Sequence, residues 1–116
     1  MPKDNIKYNE TVIYKIVCND LDIKDLYIGQ STNFTKRKSQ HKGSCNNETH
    51  KLNYLNVYQC IRNNGGWDNW SMIVIEKYPC NNRNEAETRE RYWMEQLHAT
   101  LNKQIPTRTK KEYKQE

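Results

Sequence analysis

The sequence contains no long hydrophobic run, no C-x-x-C pair, and only 4 glycines and 3 prolines. Without an apolar stretch of about 18 residues or a signal-peptide core, it predicts neither a transmembrane helix nor secretion. The cysteines at positions 18, 45, 60 and 80 are widely spaced, which predicts reduced thiols and argues against a structural zinc site. We therefore expect a soluble intracellular protein that does not associate with membranes.

With 116 residues, the chain is long enough for one domain with a modest core and too short for two. The composition is polar, but the apolar residues cluster into segments, which favours a folded domain over disorder. Lys and Arg number 19 against 14 Asp and Glu, which gives a net charge of +5. This basic balance favours a polyanionic partner such as nucleic acid.

Hydrophobic periodicity predicts the element order β-β-α-α-β-α, and therefore a small α/β (α+β) domain with a mostly antiparallel sheet. Runs rich in β-branched and aromatic residues predict strands at 12–18, 26–30 and 70–78. Helical periods predict helices at 33–43, 52–64 and 81–98.

The connection between the second strand and the first helix has the chemistry of a phosphate site. Ser31, Thr32 or Asn33 can cap the helix, and Gly43 is predicted to end it. A strand that ends in a glycine and hydroxyl side chains, and that leads into a basic helix, is suited to binding phosphate.

The last predicted helix places a carboxylate on its apolar stripe. Glu90 lies four residues from both Ala86 and Met94, so the three share one helix face. An ionised carboxylate on such a face is costly unless it is paired or binds a cation. Two interpretations stay open, a metal ligand or a structural ion pair with Arg37 or Arg89.

Arg37 and His41 are four residues apart and share a face of the first helix. Taken singly, they fit a solvated basic surface and an ordinary histidine at the edge of the core. Tyr14 and Tyr27, taken singly, fit strand residues that pack. The functional interpretation rests on their joint arrangement.

Taken together, these residues resemble the GIY-YIG nuclease superfamily. The sequence carries VIY at 12–14 and YIG at 27–29, followed by Arg37, Glu90 and Asn102 in that family's order. Position 12 departs from the family name, because it holds valine in place of glycine. A histidine four residues after the arginine resembles the phage-type and some restriction-type members.

The resemblance implies a fold, domain limits and an activity. The fold is a three-stranded antiparallel sheet flanked by helices, with a nuclease domain at 11–103 between a loose segment at 1–10 and a basic tail or linker at 104–116. The activity is hydrolysis of DNA phosphodiester bonds by a homing-endonuclease-like enzyme with one divalent cation, Mg²⁺ or Mn²⁺. A viral origin would extend the expected location from the cytoplasm to the host nucleus.

The expected site residues fall into three groups, of which the resemblance implies the first two and the basic and hydroxyl side chains themselves suggest the third. The catalytic group is Tyr14, Tyr27, Arg37, His41 and Glu90, of which Glu90 is also the metal ligand. The supporting positions are Gly29 and Asn102. The DNA-contact positions are Ser31, Thr32, Lys36, Lys38 and Lys42, joined by Lys51 and Arg62 as further basic candidates. Helix capping is the alternative role of the two hydroxyl side chains.

Arg37 is expected to clamp the scissile phosphate with its planar, permanently charged guanidinium. The resemblance implies that Tyr14, helped by Tyr27 and His41, positions or deprotonates the attacking water. A phenol with an ordinary pKa of about 10 is a poor base at neutral pH, whereas a histidine titrates at about 6.5. Tyr14 and His41 both remain candidates for the base.

Two other functions stay open. A non-catalytic nucleic-acid-binding domain could keep the fold, although the complete set of motif residues favours activity. A basic interaction protein could bury a Glu90–Arg37 pair without a metal. No sequence-reading module such as a helix-turn-helix or zinc finger is evident, so specificity would come from a second molecule, a dimer, an additional DNA-binding domain or the shape of the substrate.

Overall fold

The computed structural model of the protein describes residues 6–102. After a 3-10 turn at Tyr8–Glu10, the strands are β1 (Val12–Cys18), β2 (Leu26–Ser31) and β3 (Trp70–Lys77). The helices are α1 (Phe34–Asn46), α2 (Asn56–Asn63) and α3 (Arg83–Gln96). In this part of the chain, no helix is long and apolar enough to cross a membrane. The tail predicted at 104–116 lies outside the described residues.

The three strands form one antiparallel sheet in the order β2-β1-β3. Within it, Tyr14 pairs with Gly29 on one side and with Val74 on the other. The register against β3 shifts between Ile13 and Tyr14. The β-β-α-α-β-α order and the three-stranded antiparallel sheet are confirmed.

The central strand β1 is buried on both faces, which explains why its sequence lacks the usual alternation of apolar and polar residues. On one face, Tyr14 packs in a core that includes Tyr58 and Ile61 of α2. On the other face, Ile13 packs against Met94 of α3. Each large apolar side chain buried in this way contributes roughly 1.5–3 kcal/mol. Helices therefore flank the sheet on both sides, as the resemblance implied.

The prediction that Gly43 ends the first helix was wrong. The helix α1 continues through Gly43 to Asn46. Its last turn buries Ser44 and Cys45, and Cys45 belongs to the same core as α2. This packing offsets the cost of about 1 kcal/mol that glycine imposes inside a helix.

The second helix is shorter than predicted, because it begins at Asn56 rather than at 52. Residues 51–54 form turns instead. The side-chain amide of Asn53 donates to the carbonyls of Ser44 and Cys45, at 2.9 and 3.1 Å. These bonds hold the segment against the end of α1, where local hydrogen bonding replaces the helical pattern. Smaller shifts affect the last strand and helix, which were predicted at 70–78 and 81–98 and span Trp70–Lys77 and Arg83–Gln96.

Candidate active site

Three buried side chains from β1, α1 and α2 form a hydrogen-bonded Tyr–His–Tyr network. The hydroxyl of Tyr14 lies 2.7 Å from His41 Nε2, and the hydroxyl of Tyr58 lies 2.7 Å from His41 Nδ1. The three residues are 0%, 5% and 4% exposed in the order Tyr14, His41, Tyr58. Because both ring nitrogens are occupied, His41 can act on a reacting water only through a tyrosine.

A glycine makes room for this network. Gly29 lies directly opposite Tyr14 in the antiparallel register of β1 and β2. A Cβ atom at Gly29 would come within 2.9 Å of Cε1 of the Tyr14 ring and would overlap the hydroxyl. The phenol therefore lies across the glycine, which gives the paired VIY and YIG stretches a steric reason to occur together.

The start of α1 fixes the position of its functional residues. Of the three capping candidates, Asn33 is the cap, since its side chain accepts a hydrogen bond from the Lys36 amide. The Ser31 hydroxyl accepts from the Asn33 amide at 2.9 Å. Ser31 is buried, so its observed role is structural, and a contact with DNA remains a prediction. The cap sets the helix phase that brings His41 under Tyr14.

Tyr27 and Asn102 complete the β2 side of the site. The Tyr27 ring centroid lies 5.5 Å from that of His41 and 6.5 Å from that of Tyr14. The Asn102 side chain accepts from the Ile28 amide at 2.9 Å and donates to the Ile28 carbonyl at 2.7 Å. Asn102 thus satisfies the free edge of β2 between Tyr27 and Gly29, and its supporting role in the reaction remains a prediction.

Burial and one arginine set the electrostatics of the network. Burial raises the pKa of Tyr14 and of Tyr27 far above the ordinary value, and the Arg37 charge opposes both shifts. Burial, with a smaller contribution from Arg37, lowers the pKa of His41 to about 4. At neutral pH the site therefore holds Tyr14 and Tyr27 in their protonated forms and His41 as a neutral imidazole, beside the Arg37 guanidinium.

The carboxylate of Glu90 is buried, and no ion pair within the described residues neutralises its charge. Glu90 is 9% exposed, and no ion pair within 4 Å joins it to an arginine among residues 6–102. Arg89, one of the two partners considered, pairs with Glu76 at 2.6 Å. Burial and the nearby Glu87 raise the pKa of Glu90 to about 8, although Arg37 and a second arginine oppose the shift. The structural ion pair is therefore not found.

The Glu90 carboxylate is suited to a hard cation that takes few of its ligands from the protein. In the described part of the chain, no group of three or more His, Cys, Asp or Glu side chains could hold a metal. Mg²⁺ commonly binds one or two carboxylates, keeps several waters and takes further ligands from substrate phosphates. A single buried carboxylate without an ion-pair partner suits that arrangement, whereas a fully protein-caged metal would need more ligands.

The basic residues divide into two groups. Lys36, Lys38 and Lys42 are exposed along α1. Arg62 instead donates to the backbone carbonyls of Cys45 and Asn53, at 2.9 and 3.0 Å, and so holds the turn between α1 and α2. The lysines are placed for backbone contacts with DNA, and those contacts remain predictions, as do contacts by the partly buried Thr32 and the exposed Lys51.

The structure brings the five predicted catalytic residues together. Ring contacts join Tyr14, Tyr27 and His41. The charge of Arg37 affects the pKa of each of these three and of Glu90. Sequence reasoning missed Tyr58. In the sequence Tyr58 is one member of the apolar stripe of α2, and no local signal separates it from an ordinary core aromatic.

The fold and the site describe a small α+β domain of the nuclease type. A sequence model of the GIY-YIG catalytic domain matches residues 10–104, and the protein belongs to this family of nuclease-type enzymes. Comparison with curated proteins and comparison with solved structures each gave no significant match.

Proposed function

We propose that the protein is a metal-dependent DNA endonuclease that hydrolyses phosphodiester bonds. The observation that most supports this function is the meeting of a buried carboxylate, Glu90, with Arg37 and the hydrogen-bonded pair of Tyr14 and His41. Membership in a family of nuclease-type enzymes supports the same reaction class.

DNA would bind across the face formed by β2 and α1. The exposed lysines of α1 contact the phosphate backbone without reading sequence, and the guanidinium of Arg37 clamps the scissile phosphate. Sequence specificity would come from a dimer or from an additional DNA-binding domain.

Glu90 would hold one divalent cation, Mg²⁺ or Mn²⁺. When bound, this cation supplies positive charge that stabilises the non-bridging phosphoryl oxygens and the departing 3′ oxygen. For the chain itself, the cation would neutralise a buried carboxylate that forms no ion pair within the described residues.

Tyr14 would take a proton from the attacking water as it passes its own proton to His41 Nε2. The water oxygen forms the new bond to phosphorus while the bond to the 3′ oxygen breaks. A phosphate against Arg37 cancels part of the charge that lowers the His41 pKa, so DNA binding makes the imidazole a better acceptor. Tyr14 has no exposed surface, so water reaches it only when the side chains that cover it move on binding.

The test is cleavage of supercoiled plasmid with Mg²⁺ or Mn²⁺ by the wild type and by Glu90→Gln and Arg37→Ala. We expect nicking by the wild type and a loss of roughly 100-fold or more in each variant, the scale of a lost preorganised charge. Glu95→Gln, on the exposed side of the same helix, is the matched control and should cut normally. Binding without cleavage, on plasmid and on branched DNA, would instead favour the non-catalytic nucleic-acid-binding domain.

A further inference from the structure

Tyr58 is the member of the Tyr–His–Tyr network that the proposed reaction leaves without a role. It lies on α2, far from Tyr14 and His41 in sequence, and its ring packs 5.9 Å from the His41 ring. Phenylalanine would fill nearly the same volume in this core. Burying a hydroxyl costs free energy unless it is hydrogen-bonded. The hydrogen bond to His41 Nδ1 offsets this cost for Tyr58 and gives its hydroxyl a reason to be there.

The buried hydrogen bonds favour one direction of proton donation through the network. A neutral imidazole has one N–H donor and one acceptor nitrogen, and a guanidinium can only donate. Arg37 opposes the rise in the Tyr14 pKa but cannot accept a proton. Among the described residues, the buried Tyr14 hydroxyl has one hydrogen-bond partner, His41 Nε2 at 2.7 Å, so this nitrogen is the acceptor of the Tyr14 proton. The proton of His41 is then on Nδ1 and is donated to the Tyr58 oxygen.

The far end of the network is also satisfied in this direction. Ser44 lies one turn after His41 on α1 and is buried, and hydrogen bonding by its side chain opposes the rise that burial causes in the Tyr58 pKa. A serine hydroxyl can accept as well as donate, so it can take the proton that Tyr58 presents. In the opposite direction, the Tyr14 proton would be left without an acceptor among the described residues.

We propose that Tyr58 is a positioning residue, whose hydroxyl holds His41 in the Nδ1–H tautomer and so presents a bare Nε2 to Tyr14. The catalytic part of this inference rests on the proposed nuclease function, whereas the tautomer itself does not. An unconstrained histidine populates the Nε2–H tautomer more than the Nδ1–H tautomer. The Nδ1–H tautomer predicted for His41 is therefore not the one expected without the network.

The experiment is a long-range ¹H–¹⁵N correlation spectrum of the full chain at pH 7, without DNA or metal, after ¹⁵N labelling of histidine. His41→Gln assigns the signals of His41. We expect an unprotonated Nε2 in the wild type and in Tyr54→Phe, a control at a tyrosine that is 68% exposed. Tyr58→Phe should shift His41 toward the Nε2–H form. It should also cut DNA roughly 10–100-fold more slowly at unchanged DNA affinity, the usual scale for loss of an orienting partner.

An Nε2–H tautomer in the wild type would overturn the inference, whatever the fate of the variant. An unchanged His41 spectrum in Tyr58→Phe would overturn it as well. A wild type that binds but does not cut DNA would overturn the nuclease function and leave the tautomer result standing. The two failures are therefore distinguishable.

Discussion

Replacing the buried carboxylate of Glu90 by an amide should stabilise the metal-free protein. The pKa of Glu90 rises to about 8 from the ordinary 4.5, chiefly through burial. The folded state therefore binds more protons than the unfolded state between these pH values, and wild-type stability falls as the pH rises through that window. Glu90→Gln removes this titration, so the variant should gain on the wild type over the same range.

The magnitude follows from the width of the window. At about 1.4 kcal/mol per pH unit, the advantage of Glu90→Gln should be near zero at pH 4.5, about 3 kcal/mol at pH 7, and about 5 kcal/mol above pH 8. The assay is urea denaturation in EDTA at several pH values, with Glu95→Gln as the control on the exposed face of α3.

A cation on Glu90 would reduce this advantage, because Mg²⁺ should raise the melting temperature of the wild type and leave that of Glu90→Gln unchanged. A Glu90→Gln variant less stable than the wild type at pH 9, with no effect of Mg²⁺ on either protein, would refute the reasoning. That result would restore an ion-paired structural carboxylate.

Three further predictions concern residues in the network or close to it. Gly29→Ala should cost roughly 1–3 kcal/mol in urea denaturation because its Cβ meets the Tyr14 phenol, whereas the control Gly43→Ala should gain about 0.5–1 kcal/mol, since nothing lies near its Cβ. Burial lowers the His41 pKa to about 4 from 6.5, so wild-type stability should lose about 3 kcal/mol, relative to His41→Gln, as the pH falls through this range; parallel pH curves would contradict this. Asn102→Ala should cost roughly 1–3 kcal/mol and speed amide exchange at residue 28, because two hydrogen bonds to β2 are lost.

The sequence predicted the fold because local and global signals agree in β1 and β2. Tyr14 and Gly29 lie opposite each other in the pairing of β1 and β2, and this contact restricts the registers in which the two strands can pair. The position of Glu90 on the apolar stripe of α3 was likewise predictable from helical spacing alone. The absence of an ion pair between Glu90 and Arg37 or Arg89 was not predictable, because it depends on where these two arginines point in the folded protein.

Two other features that sequence reasoning missed depend on packing between α1 and α2. Glycine often ends a helix, but Gly43 does not, because the residues after it are buried against α2. Tyr58 has the spacing of a core residue, and its hydroxyl acquires a role only when α2 brings it to His41 Nδ1. In both cases a tertiary contact decides between alternatives that the local sequence leaves equal.

The measurement that tests the central claim most directly is cleavage of duplex DNA with Mg²⁺ in water enriched in ¹⁸O, followed by mass spectrometry of the fragment ends. If water attacks the phosphate and the 3′ oxygen departs, the 5′ ends should carry phosphate with one ¹⁸O atom, and the 3′ ends should be unlabelled hydroxyls. Fragments without ¹⁸O, or no fragments from a protein that binds the same DNA, would contradict the proposal that this site hydrolyses DNA.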